Sequence, residues 1–502
     1  MSAAALFASA CDGDSSSETM VCTPGTVTSC ACPDGSTGER TCLPDGTGHG
    51  SCDCGGGGVS GGTGGSGGSG GSGGTVDDGA IWSHAFGGSG RQDPFRVTVD
   101  TDGSVVLAGL FANAIDFGAA ELPSAGATDA FWVKLSPAGQ YQQSAAYGGT
   151  GADAARGLAI DGDGNIILCG SFENTINFGT SSHPSAGFVD AFVAKIDPAG
   201  TVLWSRAFGS TAHEYASAVG VDGNGNILVG GFFQGQLSFD SHTVTAVDAL
   251  DVFVAKLDPN GATLWAEQFG STGDDMLYEL AVDPSGAAFI GGRFPTAITF
   301  TEPLTSAGGG DVFVAKLDPT GNPVFGKGFG DGAEEELFGV AAAPDGGVVV
   351  TGYFEGSINF GGDLLVSDGG NDLFVAKLDA TGNHVFSHRL GGPTEQYSAG
   401  VAVTASGEAL VTGLFTGTVD FGGGPVQTAG DTDVFLLELS PTGSFQRVRR
   451  FGSTGAETGV SVAVDATGPA LLTGWFDEAI TFGDQTHVGG GERDVFVAKL
   501  ER

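Results

Sequence analysis

One octet, Asp251-Val-Phe-Val-Ala-Lys-Leu-Asp258, returns through the chain with small changes, and its leading aspartate falls at Asp129, Asp190, Asp251, Asp311, Asp372, Asp433 and Asp494. The intervals are 61, 61, 60, 61, 61 and 61 residues, so residues 80–502 are seven copies of one unit. Self-similarity at a fixed period means that each unit is one supersecondary piece whose apolar face is covered only by the next copy.

Inside a unit the pattern is four short strands. In the third copy Ala218–Val221 alternates small and large residues, Asp222-Gly-Asn-Gly-Asn226 supplies turn chemistry, and Ile227–Phe233 is a second apolar strand. A longer connection carries Leu237-Ser-Phe239. Asp251–Leu257 then forms a third strand, Asp258-Pro-Asn-Gly261 turns it, and Thr263–Phe269 is the fourth. No stretch has a helical period. Four antiparallel strands per repeat of this length describe a propeller blade. Of the 35 phenylalanines, 21 sit at three repeated positions, typified by Phe233, Phe239 and Phe253, as expected if each blade packs rings against the next. The first strands carry small residues at Thr98, Ala159, Gly220, Ala281, Ala341, Ala402 and Ala463, which places them innermost, where blades converge. The copies begin with a lone fourth-strand segment, Ile81-Trp-Ser-His-Ala-Phe86, and end at Arg502 just after a third strand. The N-terminal strand is therefore expected to complete the last blade as its outer edge. The expected fold is all-β: a seven-bladed β-propeller of four-stranded antiparallel blades, closed by the N-terminal strand, over residues 80–502.

Units reading Gly157-Leu-Ala-Ile-Asp-Gly-Asp-Gly-Asn-Ile166, Asp190-Ala-Phe-Val-Ala-Lys195 and Trp204-Ser-Arg-Ala-Phe-Gly209 resemble the bacterial seven-bladed β-propeller repeat labelled SBBP. That resemblance implies an exported or surface protein without an assigned reaction, whose repeated positions are structural and not catalytic.

Ahead of the repeats lie three segments of different composition. Residues 1–11 are small and apolar up to Cys11, like the tail of a lipoprotein signal in which that cysteine is lipidated; a chance cysteine or an ordinary secretory signal is the alternative. Residues 12–54 hold Cys22, Cys30, Cys32, Cys42, Cys52 and Cys54 among Pro, Gly, Ser, Thr and Asp, too few apolar residues for a core. Such a piece stays folded only when stapled, and six thiols suggest three disulfides in an oxidising compartment. Two Cys-x-Cys pairs do not match the Cys-x₂-Cys spacing of a zinc knuckle. The spacing is similar to that of cysteine-rich stalk modules on surface lipoproteins of myxobacteria and their relatives. Residues 55–79, nearly pure Gly and Ser up to Thr75, read as a flexible tether.

With 19 Lys+Arg against 59 Asp+Glu the formal charge is −40, which excludes electrostatic capture of a phosphate backbone and hence nucleic acid as a partner. No run of 18 apolar residues exists, so no spanning helix is expected.

The strongest candidate for chemistry is acidic. Six residues after the fourth-strand aromatic the copies hold Gln92, Asp153, Glu214, Asp275, Glu335, Gln396 and Glu457, with Asp93, Asp274, Glu334, Glu336 and Glu395 beside them. Asp153, Glu214, Asp275, Glu335, Glu395 and Glu457 form a candidate ring near the central channel that holds a ligand or a hard cation such as Ca²⁺ through oxygen. The stronger reading of the same side chains is that they cap backbone N–H groups in Gly-rich turns. A second acidic set, exemplified by Asp100, Asp161 and Asp222, reads as hairpin turns because a calcium loop's Gly and distal Glu are lacking. Cys169 fills a strand position held elsewhere by Ala, Gly or Thr and reads as an inert packed thiol. The eight histidines are scattered and suggest no catalytic set.

The functional expectation is a lipid-anchored, exported, monomeric propeller at the outer membrane or cell surface. It touches the membrane only through its N-terminal lipid and acts as a binding or scaffold protein for an extracellular protein or glycan. Two readings compete with it: a calcium-dependent hydrolase or lyase at the channel mouth, and a purely structural envelope protein. No catalytic residue is assigned, and calcium is the one cofactor considered.

Overall fold

The computed structural model divides the chain into two units, Met1–Gly74 and Thr75–Arg502, and describes residues 27–31, 37–41 and 78–502. In the first unit Val27–Ala31 pairs antiparallel with Thr37–Thr41, Val27 opposite Thr41. The expectations for Cys11, for the side chains of Cys22, Cys30, Cys32, Cys42, Cys52 and Cys54, and for residues 55–77 of the tether lie outside the described part.

The second unit holds seven four-stranded antiparallel sheets. Their first strands are Gln92–Val99, Asp153–Ile160, Glu214–Val221, Met276–Val282, Glu335–Ala342, Gln396–Val403 and Glu457–Val464, and the blades are numbered 1 to 7 in that order. Each first strand touches the next, and that of blade 7 touches that of blade 1, so the sheets form a closed ring. Blade 7 runs from Glu457–Val464 through Ala470–Phe476 and Asp494–Leu500 to Ala80–Phe86. Trp82 lies opposite Lys499 and Phe86 opposite Val495, so the outer strand comes from the far end of the repeat region, as the copy boundaries imply. That strand gives the backbone groups of Asp494–Leu500 partners they would otherwise lack.

Turn chemistry and charge together fix each hairpin. Asp222 Oδ1 accepts the backbone N–H groups of Asn224 and Asn226 at 2.8 and 3.0 Å, while Gly225 takes φ +77°, a left-handed conformation that costs glycine nothing. The other oxygen of Asp222 meets Lys256 of the octet at 2.8 Å. Five blades repeat this buried pair, at 2.7–3.1 Å; in blade 5 Ala343 stands for the aspartate and Lys377 reaches the exposed Asp345 two residues on, at 2.6 Å. Blade 6 changes both members: Thr404 stands for the aspartate and Glu438 for the lysine. Glu438 is neutralised instead by Arg447 and Arg449, at 2.7 and 2.9 Å.

The aromatic positions cement blade to blade. The middle phenylalanine of each unit packs on the octet phenylalanine of its own blade at centroid distances of 4.9–5.5 Å. In six blades it also meets the aromatic that ends the previous blade's fourth strand, at 4.6–5.2 Å. Near the axis the wedge narrows. A Cβ on Gly220 would come within 2.5 Å of Val282 and 3.2 Å of Leu280, both on the next blade's first strand. The small side of one inner strand thus receives the large side of its neighbour.

Candidate functional site

The innermost strands enclose an axial cavity of about 150 Å³ to which all seven blades contribute, among them Val97, Leu158, Val219, Leu280, Val340 and Val462. Every first strand carries a β-bulge there, such as that between Ala216 and Ala218. The residue just after the bulge is Gly157, Ala218, Gly339, Gly400 or Ser461 in five blades, because the next inner strand comes close. Blade 1 places Arg96 there and blade 4 places Glu279. These two non-adjacent blades reach each other through the channel, with Arg96 Nη2 2.5 Å from Glu279 Oε2. Burial pushes the Glu279 carboxyl above its ordinary range while Arg96 draws it down.

The acidic slot of the sequence takes a different position. Asp153, Glu214, Asp275, Glu335 and Glu457 stand at the start of inner strands, fully buried, and each points into the seam with the preceding blade. There each meets that blade's octet aspartate, in the pairs Asp153/Asp129, Glu214/Asp190, Asp275/Asp251, Glu335/Asp311 and Glu457/Asp433. Four of the five accept the backbone N–H four residues upstream: Asp153 from Gly149 at 2.8 Å, Glu214 from Ser210 at 3.0 Å, Asp275 from Ser271 at 2.7 Å and Glu457 from Ser453 at 3.2 Å. Glu395 lies one residue before the slot and is exposed, accepting the Tyr397 hydroxyl at 2.9 Å; the buried slot of blade 6 holds Gln396. The six candidate ring residues therefore occupy separate seams and loops. Among the described residues no three His, Cys, Asp or Glu side chains converge as metal ligands would. Cys169 is fully buried, which pushes its thiol up to about 12.

Sequence reasoning missed a layer beside that slot. Three positions per blade meet around the channel mouth: those one and three residues after the slot, and the one before the second-strand phenylalanine. Phe95, Leu110 and Ala154 show the pattern, packing together across blades 1 and 2. In blades 4 to 6 the same positions hold a chain of rings, with Tyr278 on Phe338 at 5.6 Å, Phe338 on Tyr353 at 6.0 Å and Tyr353 on Tyr397 at 5.0 Å. Arg293 lies 3.7 Å from Glu336 beside them. Burial pushes the Glu336 carboxyl up to about 7 against the pull of Arg293, and the Tyr397 hydroxyl up to about 12. Across the mouth Arg493 covers the ring of Trp475 at 3.9 Å and pairs with Asp93 at 3.5 Å. A stair of rings leads outward from Phe232 through Tyr215 and His213 to Phe188, which is 66% exposed. This collar contains four of the chain's six tyrosines. Comparing the seven copies position by position would have found it, since these columns differ from blade to blade while their neighbours repeat.

No family model matches the chain. It is similar to an uncharacterised WD repeat-containing protein, L264, of Acanthamoeba polyphaga mimivirus, 21% identical over 81% of this chain and 36% of that protein. It is also similar to the regulatory protein FlaEY of Caulobacter vibrioides, 25% identical over 74% of this chain and 41% of that one. The chain thus spans about two fifths of the length of these curated relatives. Among solved structures it is similar to the Neurospora crassa Pan2 WD40 domain, at 11% identity and a TM-score of 0.42 over 82% of this chain and 92% of that domain. Sqt1 from Chaetomium thermophilum aligns at 12% identity and a TM-score of 0.41 over 85% of this chain and 99% of that one. The chain is a seven-bladed β-propeller with WD-repeat relatives.

Proposed function

We propose that this propeller is an exported binding or scaffold protein of the SBBP type, held at the cell surface by lipid on Cys11, and that it takes its partner on the collar. One observation carries the second part of the reading. In a repeat protein the positions that hold the ring together recur, as the octet and the phenylalanines do here, while the three collar positions hold a different residue set in each blade. Fourteen of these twenty-one side chains are buried and shape the mouth, and the half-buried ones, Tyr215, Phe232, Met276 and Arg293 among them, are the ones a partner meets. Aromatic rings and Arg are the side chains that dominate recognition surfaces. The WD-repeat name of one relative accords with a binding role. The small residues up to Cys11 and the cysteine-dense segment after them support export and anchoring.

The test is a glycan and peptide array probed with the wild type, with F188S/Y215S/R493A in the collar, and with D258N/D318N in the opposite turns. Collar substitution is expected to weaken every genuine signal at least about tenfold, the loss of one good contact, and the turn variant to leave it unchanged. Signals that survive the collar variant, or vanish with the turn variant, refute the assignment. Mass spectrometry of the mature N-terminus checks the address separately: an unacylated Cys11 removes the anchor.

A further inference from the structure

The seven seams share one geometry, and two of them replace the buried acid by its neutral amide. Gln92 in blade 1 and Gln396 in blade 6 occupy the slot that is Asp or Glu elsewhere. Gln396 Oε1 accepts the backbone N–H of Gly392 at 3.0 Å, as the acids do from their own loops. A glycine ends every fourth strand because the octet carboxyl lies against it: a Cβ on Gly452 would stand 2.7 Å from Asp433 Oδ1 and 2.8 Å from Glu457 Oε2. In this seam, and in that of Gly330, where a Cβ would meet both Glu335 and Asp311, the two acid groups close on one spot. In the seam of blades 4 and 5 the fully buried Glu335 has only the backbone N–H of Asp331 near its carboxyl, and neither oxygen reaches a well-formed hydrogen bond. Two carboxylates buried together cannot both keep their charge without a counter-charge.

We propose that five of the seven seams each hold one proton between their two carboxyl groups at neutral pH, so that the ring is tightest in mild acid and loosens as the solution turns alkaline.

The groups that face each slot bear this out. Asp153 faces Asp129 and Glu173; Glu214 faces Asp190; Asp275 faces Asp251 and Asp274. Glu335 faces Asp311, Asp331 and the single cation Arg293, and Glu457 faces Asp433 and Asp477. Arg450 bonds Asp433 at 2.5 Å on the side away from Glu457 and is the one counter-charge against that pair among the described residues. Burial first, and the octet aspartate in addition, pushes Asp153, Glu214, Asp275 and Glu457 up to about 7 and Glu335 up to about 8. A carboxyl whose folded value is raised stabilises the fold fully below its unfolded value, near pH 4, and loses that contribution as pH climbs through the folded value. The loss runs from about pH 5 to 8.

Thermal unfolding of the intact chain between pH 5 and 8 tests this, with E335Q and Q396E beside the wild type. The wild-type midpoint is expected to fall by roughly 5–10 °C across that range. E335Q, copying the amide seams, should match the wild type at pH 5 and exceed it at pH 8. Q396E, which makes a sixth acid pair, should fall more steeply. An E335Q chain that does not fold, or slopes identical in all three proteins, overturns the proposal. So does a wild-type midpoint at pH 8 that millimolar Ca²⁺ raises and chelator lowers, because a cation would then fill the seam.

Discussion

Removing either partner of the ion pair through the channel should cost more than removing both. Two unit charges about 4 Å apart attract by about 4 kcal/mol at an effective dielectric constant near 20, and much of this offsets the desolvation of bringing them inside. Truncating one partner strands the other in a ring of Val and Leu side chains, which in a closed core costs about 3–5 kcal/mol. The side chains of Arg96 and Glu279 keep 16% and 15% of their exposure, so water in the axial cavity relieves part of that penalty. The expected cost is about 2 kcal/mol for R96A and for E279A alone. The double variant leaves small residues in all seven blades at this position, five of which are already Gly, Ala or Ser. Nothing charged is then buried, and only packing on the cavity wall is lost, about 1 kcal/mol. Urea unfolding of the four proteins, followed by far-ultraviolet circular dichroism, gives the cycle, with an expected coupling of about 3 kcal/mol. The exchanged pair R96E/E279R should return close to wild type. Additive single costs, or an exchanged pair no better than the worse single variant, would refute the view that these blades brace one another.

Three other outcomes follow from the seams and edges. K256M strands Asp222, whose side chain is 2% exposed, and should cost about 3 kcal/mol in urea unfolding, whereas K256M/D222T, which copies the threonine of blade 6, should recover most of it. Deleting residues 78–86 bares the edge of Asp494–Leu500, so the truncated chain should run as oligomers in gel filtration; a well-behaved monomer would mean that the N-terminal strand does not close the ring. Cys169 should ignore thiol reagents in the native protein and react on unfolding, and immediate labelling without denaturant would contradict its burial.

Blade number, strand order and the closing strand were all legible in the sequence, and for one reason. The features that specify them recur seven times, so chance at one copy is outvoted by the rest, and the lone fourth-strand segment Ile81-Trp-Ser-His-Ala-Phe86 pairs with the third strand of the last copy. The aromatic positions were legible on the same ground. Direction of side chains was harder. Period-two alternation predicts which face a residue takes only while the register holds, and the bulge after Ala216 and its equivalents breaks it within the first turn of every inner strand. The acidic slot, read as facing the channel, therefore points into the seams, and the positions beside it carry the mouth. The collar and the Arg96–Glu279 pair stayed hidden for the opposite reason to the fold: searching for what repeats averages them away. Arg96 is merely one odd residue among Gly, Ala and Ser until a second departure of opposite sign, Glu279, is found in the same column. A column of small residues broken once by a cation and once by an anion already contains the contact, because a ring brings every member of a column to the same height around one axis. In a closed repeat fold, then, the agreements among copies identify the scaffold, and pairs of chemically complementary disagreements identify what has been built on it.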